Sequence, residues 1–134
     1  SINAALRSAG CAPDDVDAIL PLGSGIPEMD DVDARAIKTV FGNRAARIPL
    51  ITLVPYIGLC GAGLGAIAVS LAAQCLREQR LPARIGIEDA GVHGLDSGPA
   101  EARDAELSRI LVFTTSLGGQ NVAILLDRWK GDWD

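Results

Sequence analysis

The chain has 134 residues, of which 49% are hydrophobic, 22% charged and only 4% aromatic, with 15 glycines. This composition specifies a small globular domain packed through small side chains, and it excludes a disordered chain. A formal net charge of −5 argues against a general nucleic-acid binder, because nothing would neutralise the phosphates.

Ile2, Ala5, Leu6 and Ala9 recur at helical spacing, and Gly10 is placed to stop that helix. Pro13-Asp14-Asp15 predicts a turn before a strand over Ala18 to Leu22, followed by the glycine-bearing loop Gly23-Ser24-Gly25. Asp30 or Asp31 is expected to cap the next helix. Its apolar side is Val32, Ala36, Ile37, Val40 and Phe41, and Gly42 ends it. Pro49 to Val54 reads as a buried strand. From about Ala62 to Gln79 the chain reads as a helix apolar almost all round, and so expected in the core.

No charge occurs between Arg47 and Arg77, but Pro49, Pro55, Gly58, Gly61, Gly63 and Gly65 interrupt the stretch. Its helical part would span only about 22 Å at ~1.5 Å per residue, short of a bilayer core of roughly 30 Å, so no membrane crossing is expected. Arg84 to Glu88 is a further short strand candidate, and Gly91 to Asp104 is expected to be a surface loop. Ile110 to Thr115 and Asn121 to Leu126, joined by Ser116 to Gln120, read as a closing antiparallel hairpin. Strands separated by helices make an α/β domain with a mixed sheet.

Cys11, Cys60 and Cys75 show neither metal-type nor redox-type spacing. Cys60 and Cys75 lie in apolar stretches, where the residue acts as a small hydrophobe. A reduced, cytoplasmic protein is expected. The first residues lack a basic region followed by a long apolar run, so no leader peptide is expected.

Gly61-Ala62-Gly63-Leu64-Gly65-Ala66 fits the dinucleotide pattern G-x-G-x-x-G/A, with Glu88 downstream where a ribose-binding acid belongs. Pro55, Tyr56 and Ile57 intervene between the expected strand and the glycines, so nucleotide binding through Gly61 to Ala66 is held as an alternative. His93 is the only histidine. Asp96 and Ser97 are close to it in sequence, but adjacency along a loop is not triad geometry, and a solvated loop residue is expected. Asp14, Asp15 and Asp17, then Asp30, Asp31 and Asp33, lack the glycine and distal glutamate of a calcium loop. Acids at helix starts complement the helix dipole, and no metal site is expected.

Taken in order, these segments resemble the C-terminal half of β-ketoacyl synthases. The family's His-Gly-Thr-Gly-Thr-Pro loop, acidic helix start and Phe-Gly helix end correspond to Leu22-Gly23-Ser24-Gly25-Ile26-Pro27, Asp30 with Asp33, and Val40-Phe41-Gly42. Its Lys-Ser-x-x-Gly-His loop and Gly/Ala-rich helix correspond to Val54 to Leu59 and Gly61 to Leu76. Its closing Gly-Phe-Gly-Gly-x-Asn loop corresponds to Ser116-Leu117-Gly118-Gly119-Gln120-Asn121. The resemblance covers nearly the whole chain. It implies the C-terminal half of a thiolase-like fold, a mixed sheet flanked by helices, with residues 1–134 expected to be a fragment of a longer two-half protein.

The family's histidines fall on Leu22 and Leu59, and its lysine on Val54. In active members those histidines stabilise the thioester or enolate oxygen and assist decarboxylation, for which leucine has neither donor nor proton. None of the three cysteines stands where the family has its nucleophile. The resemblance therefore implies a site filled with aliphatic carbon and a chain inactive by itself. The run Gly25 to Asp30 with Ala36-Ile37 and Val40-Phe41-Gly42 is most similar to the chain-length-factor branch, whose members pair with an active ketosynthase.

The implied role is a non-catalytic ketosynthase-like domain of fatty acid or polyketide biosynthesis that shapes the acyl tunnel. Thr115, Leu117, Gly118 and Gly119 would form the loop gating the acyl pocket. The implied partners are a ketosynthase subunit or the protein's own N-terminal half, and an acyl carrier protein. Neither nucleic acid nor membrane is expected. No cofactor is expected, and acyl-phosphopantetheine on the carrier is the implied ligand. The alternative within the family is the C-terminal part of an active acyltransferase with unconventional residues.

Overall fold

The computed structural model describes residues 1–86, 92–116 and 118–131. Helix α1, Ile2–Ser8, buries Ile2 and Leu6. It closes as its sequence predicts: Gly10 turns left-handed at φ 63°, and the Gly10 and Cys11 amides donate to the Arg7 and Leu6 carbonyls at 3.1 and 2.9 Å. Helices α2 (Pro27–Phe41), α3 (Val54–Ile57) and α4 (Leu64–Glu78) follow. The strands are β1 (Ala18–Leu20), β2 (Arg80–Leu81), β3 (Arg103–Asp104), β4 (Arg109–Thr115) and β5 (Asn121–Asp127).

The main sheet runs in the order β1-β4-β5. Strand β1 is parallel to β4, with Ala18 opposite Ile110 and Leu20 opposite Val112. Strand β5 is antiparallel to β4, from Arg109 opposite Asp127 to Thr115 opposite Asn121. The mixed sheet and the closing hairpin are thus as expected.

Alternation along the strands splits the core in two. Ala18, Leu20, Ile110 and Val112 face Leu64, Ala68, Ala72 and Leu76 of α4. Ile19, Leu111 and Phe113 face Ile2 and Leu6 of α1 and Ile37 and Phe41 of α2. The result is a helix–sheet–helix sandwich in which β1 and β4 are buried on both faces.

Four expectations need correction. Residues 49–53 run beside β1 but form a single parallel bridge, Leu50 with Ile19. The Ile51 amide donates to the Ile19 carbonyl at 2.8 Å, and by Val54 the chain has already turned into α3.

The extra strand forms at Arg80–Leu81, paired antiparallel with Arg103–Asp104, rather than over 84–86, and residues 87 and 88 lie outside the described residues. Gln79 explains the shift. Its left-handed backbone ends α4, and its side-chain amide donates to the Leu76 and Leu107 carbonyls, both at 2.7 Å.

The stretch expected as a surface loop is partly core: Leu95 and Ser97 are buried. The Leu50 amide donates to the Asp96 carbonyl at 2.8 Å, and the Arg84 amide to the Pro99 carbonyl at 2.7 Å.

Finally, α4 is not buried all round, because Ala66, Ile67, Ser70, Ala73 and Gln74 face solvent. No helix among the described residues is long and apolar enough to cross a membrane.

Candidate functional site

The loop leaving β1 is held by a single carboxylate. Helix α2 begins at Pro27, whose fixed φ suits a first helical position, so Asp30 sits inside the helix rather than capping it. From there it accepts hydrogen bonds from the Ser24 amide (2.8 Å), the Ser24 hydroxyl (3.0 Å) and the Gly25 amide (3.0 Å). Gly23 and Gly25 take φ values of 54° and 76°, which only glycine adopts without strain.

Leu22, at the head of this loop, is 8% exposed and packs in the core cluster containing Leu53, Leu64 and Ala68. The gap beside it measures about 10 Å³, at the lower limit for holding one water. Val54 is half-buried against the same cluster. Leu59 is 54% exposed, so the expectation of one dry site filled by both leucines is corrected. Gly58, at φ 75°, ends α3, and the chain runs along the surface before the turn Gly61–Gly63. The Tyr56 hydroxyl, donating to the Ala83 carbonyl, pins α3 in place.

At the far end of β4, Thr115 is half-buried. The hairpin loop is closed by the Ser116 amide on the Gln120 carbonyl (3.0 Å) and the Gly119 amide on the Ser116 carbonyl (2.9 Å). Gly119 is left-handed at φ 79°, and a Cβ on Gly118 would stand 2.7 Å from Gln120 Oε1. Leu117 lies outside the described residues.

The residue that sequence reasoning missed is Asp33. The buried stripe of α2 is Asp33, Ala34, Ile37 and Phe41, whereas Val32, expected on the apolar side, is 47% exposed. Asp33 is 4% exposed, and neither carboxylate oxygen receives a hydrogen bond. Burial pushes its pKa up to about 6, and the nearby Asp30 charge adds to the rise. The Gly23 and Leu22 backbones and the Thr115 side chain favour the charged form, without reaching hydrogen-bond geometry. Asp33 thus lies where the Leu22 loop and the end of β4 meet. It lines a cavity of about 90 Å³ with Gly23, Thr52, His93 and Ser97, and also a groove with Phe113 and Thr115.

His93 is not fully solvated as expected. Its Nδ1 lies 3.0 Å from Asp31 Oδ1 and its ring borders the Asp33 cavity.

The dinucleotide reading is corrected. Helix α3, not a strand, precedes the glycines, and Gly61–Gly63 form a 3₁₀ turn, so the strand–loop–helix crossing of that fingerprint is missing. Glu88 lies outside the described residues. Burial raises the Cys75 thiol to about 11, while Cys60, expected as a packed hydrophobe, is exposed. Among the described residues no group of three or more His, Cys, Asp or Glu side chains is gathered as a metal site.

Residues 1–88 match the family described as "Beta-ketoacyl synthase, C-terminal domain". The 3-oxoacyl-[acyl-carrier-protein] synthase 2 of Coxiella burnetii is 32% identical over 125 residues, covering 92% of this chain and 30% of that protein. A type II polyketide synthase acyl carrier protein in complex with its ketosynthase bound to the hexaketide superposes with a TM-score of 0.87. Identity there is 25%, over 96% of this chain and 32% of that one. A ketosynthase in complex with its chain length factor from Xenorhabdus doucetiae gives a TM-score of 0.78 at 25% identity, covering 96% and 32%. The chain therefore spans about a third of the length of these relatives.

Proposed function

This chain belongs to the β-ketoacyl synthase family through its C-terminal domain, with the C-terminal part of the thiolase-like fold, and from that premise we propose that it is a non-catalytic subunit component. In this reading it pairs with an active ketosynthase in fatty acid or polyketide biosynthesis and shapes the tunnel for the growing acyl chain.

The observation that carries the reading is Leu22. Where active relatives present an imidazole, this chain presents an alkyl group in the core, beside a gap of about 10 Å³. Neither a proton nor a hydrogen-bond donor is available there to a developing enolate. Leu59 supports the same conclusion, since an exposed isobutyl group cannot stand in for the second imidazole. The one histidine is paired with Asp31 instead. Thr115, Leu117, Gly118 and Gly119 gate the acyl pocket in this reading, and acyl-phosphopantetheine on an acyl carrier protein is the ligand.

Relatives solved with a chain length factor, or with a carrier protein, make those partners the first to test. The three free cysteines support a reducing, cytoplasmic setting. The 32% identity to a protein named as a synthase favours a second reading, the C-terminal part of an active enzyme with unconventional residues.

One experiment separates them. The full-length protein, purified with and without its ketosynthase partner, is given malonyl-carrier protein, and the products are sized by mass spectrometry. A silent subunit condenses nothing alone, and Leu117→Trp shortens the products made with the partner. Condensation by the protein alone would overturn silence, and unchanged product length in the Trp variant would overturn the tunnel role.

A further inference from the structure

We propose that Asp33 is a positioning residue that, when ionised, ties the β1 loop to the hairpin after β4 by gathering the Gly23 amide and the Thr115 hydroxyl onto its carboxylate. The tie itself assumes nothing about catalysis. Its consequence, a firmer hold on the loop that gates the acyl pocket, rests on the tunnel reading above.

The carboxyl of Asp33 is turned toward Leu22, Gly23 and Thr115, and the residue is only 4% exposed. It stands between two parts of the fold, bordering one cavity with Gly23 and a separate groove with Phe113 and Thr115. Neither of its oxygens receives a hydrogen bond. Unused donors face them, because among the described residues the Leu22 and Gly23 amides donate to no other group. A buried carboxylate needs partners, and no lysine or arginine lines the cavity or the groove to provide one. The loop and the hairpin hold the donors that ionised Asp33 gathers by closing one on the other. Protonated Asp33 makes no such demand, since a neutral acid is the weaker acceptor and carries a proton of its own.

The other charges around Asp33 are already engaged. On α2, Asp30 accepts from Ser24 and Gly25, and Lys38 lies against Gly94. From the 92–97 segment His93 borders the same cavity, with Asp31 3.0 Å from its Nδ1, while the Asp96 carboxylate accepts the Gly98 amide. The linings contributed by α1 and by residues 49–53 carry no charged side chain. Burial raises the Asp33 pKa to about 6 and Asp30 adds to the rise, whereas Gly23, Leu22 and Thr115 pull the other way. By linkage, a group that favours the charged form is drawn in by that charge to the same factor. The tie therefore tightens as pH rises through about 6 and slackens below it.

The test follows the full-length protein, without acyl substrate, by NMR with ¹⁵N-glycine, ¹³C-methyl threonine and ¹³C-carboxyl aspartate labels, from about pH 5 to about pH 8. The Gly23 amide and the Thr115 methyl should titrate together with the Asp33 carboxyl, and should stop titrating in Asp33→Asn. Removing the hydroxyl in Thr115→Val should lower the acid dissociation constant of Asp33 by roughly three- to tenfold, the worth of one hydrogen bond to a carboxylate. Thr115→Ser keeps the hydroxyl and should leave that constant as it was. An Asp33 midpoint unmoved by Thr115→Val overturns the proposal. So does a Gly23 amide or Thr115 methyl that still titrates near pH 6 in Asp33→Asn, since Asp30 or His93 is then the source. Because no substrate enters the measurement, failure of the tunnel role would leave these signals as they are.

Discussion

Asp33 should make the protein less stable as pH rises through the mildly acidic range. Its folded pKa is about 6 against an ordinary 3.8, so between those values the folded state keeps a proton that the unfolded chain has released. Raising pH through that window therefore favours unfolding; below it both states are protonated, and above it the penalty is complete. At ~1.4 kcal/mol per pKa unit, the gap between 3.8 and about 6 sets a ceiling of ~3 kcal/mol. The adjoining cavity admits water, and screening there brings the expectation to ~1–2 kcal/mol. Asp33→Asn removes the charge at similar size, so it should stabilise by that amount at about pH 8 and by much less at about pH 3.5, below the ordinary aspartate value. Urea unfolding of the full-length protein at the two pH values measures the difference. Equal effects of the variant at both pH values would refute the reasoning. So would a ¹³C-detected carboxyl titration placing Asp33 at its ordinary value.

Three further outcomes follow from the packing. Leu111 is 0% exposed in the central strand, and Leu111→Ala should cost ~2–5 kcal/mol in chemical denaturation through the cavity it leaves. Gly98→Ala places a Cβ 2.5 Å from the Leu50 carbonyl oxygen at a φ of 84°, so it should lower stability by ~1–3 kcal/mol, read as a drop in melting temperature. Arg109 grips both oxygens of Asp127 at 2.5 and 2.9 Å, and its hydrogen bonds hold that carboxyl below the usual range. The pair lies at the surface, so Arg109→Ala should cost under ~1 kcal/mol in the same denaturation assay, and less still at high salt.

How much could be read in advance follows from where the information sits. The unbroken apolar runs Ala18 to Leu20 and Ile110 to Phe113 announce strands covered on both faces, and the glycines at 10 and 42 announce helix ends, because these signals are local. The loop carrying Leu22 was also legible, since a family motif fixes its place. The exposed side of α4 was not: Ala66, Ile67 and Ala73 are apolar whether or not anything covers them, and periodicity cannot tell the two cases apart. The single bridge at Leu50 depends on how far residues 49–53 follow β1 before α3 begins, which no local pattern encodes. Asp33 was mistaken for a helix-start acid beside Asp30 and Asp31. The signal that could have found it is its spacing: it lies four residues before Ile37 and eight before Phe41, on the stripe that the sheet covers. A carboxylate there is a contradiction at the level of sequence, and contradictions of that kind mark places where burial serves something other than packing.

Strand β5 ends the order β1-β4-β5, so one of its edges has no neighbour among the described residues. From Asn121 to Asp127 the strand reads Asn-Val-Ala-Ile-Leu-Leu-Asp, without a lysine, arginine or proline to discourage pairing, and Val122 and Ile124 are exposed. Uncapped amides and carbonyls along an apolar edge are a template for any extended peptide. Colloidal behaviour of this stretch of polypeptide, handled by itself, is then governed by the outward-facing amides and carbonyls of alternate residues of β5 rather than by the overall charge of −5. Long-range repulsion from that charge is muted at ordinary ionic strength, while hydrogen bonding between edges acts at contact and grows with concentration.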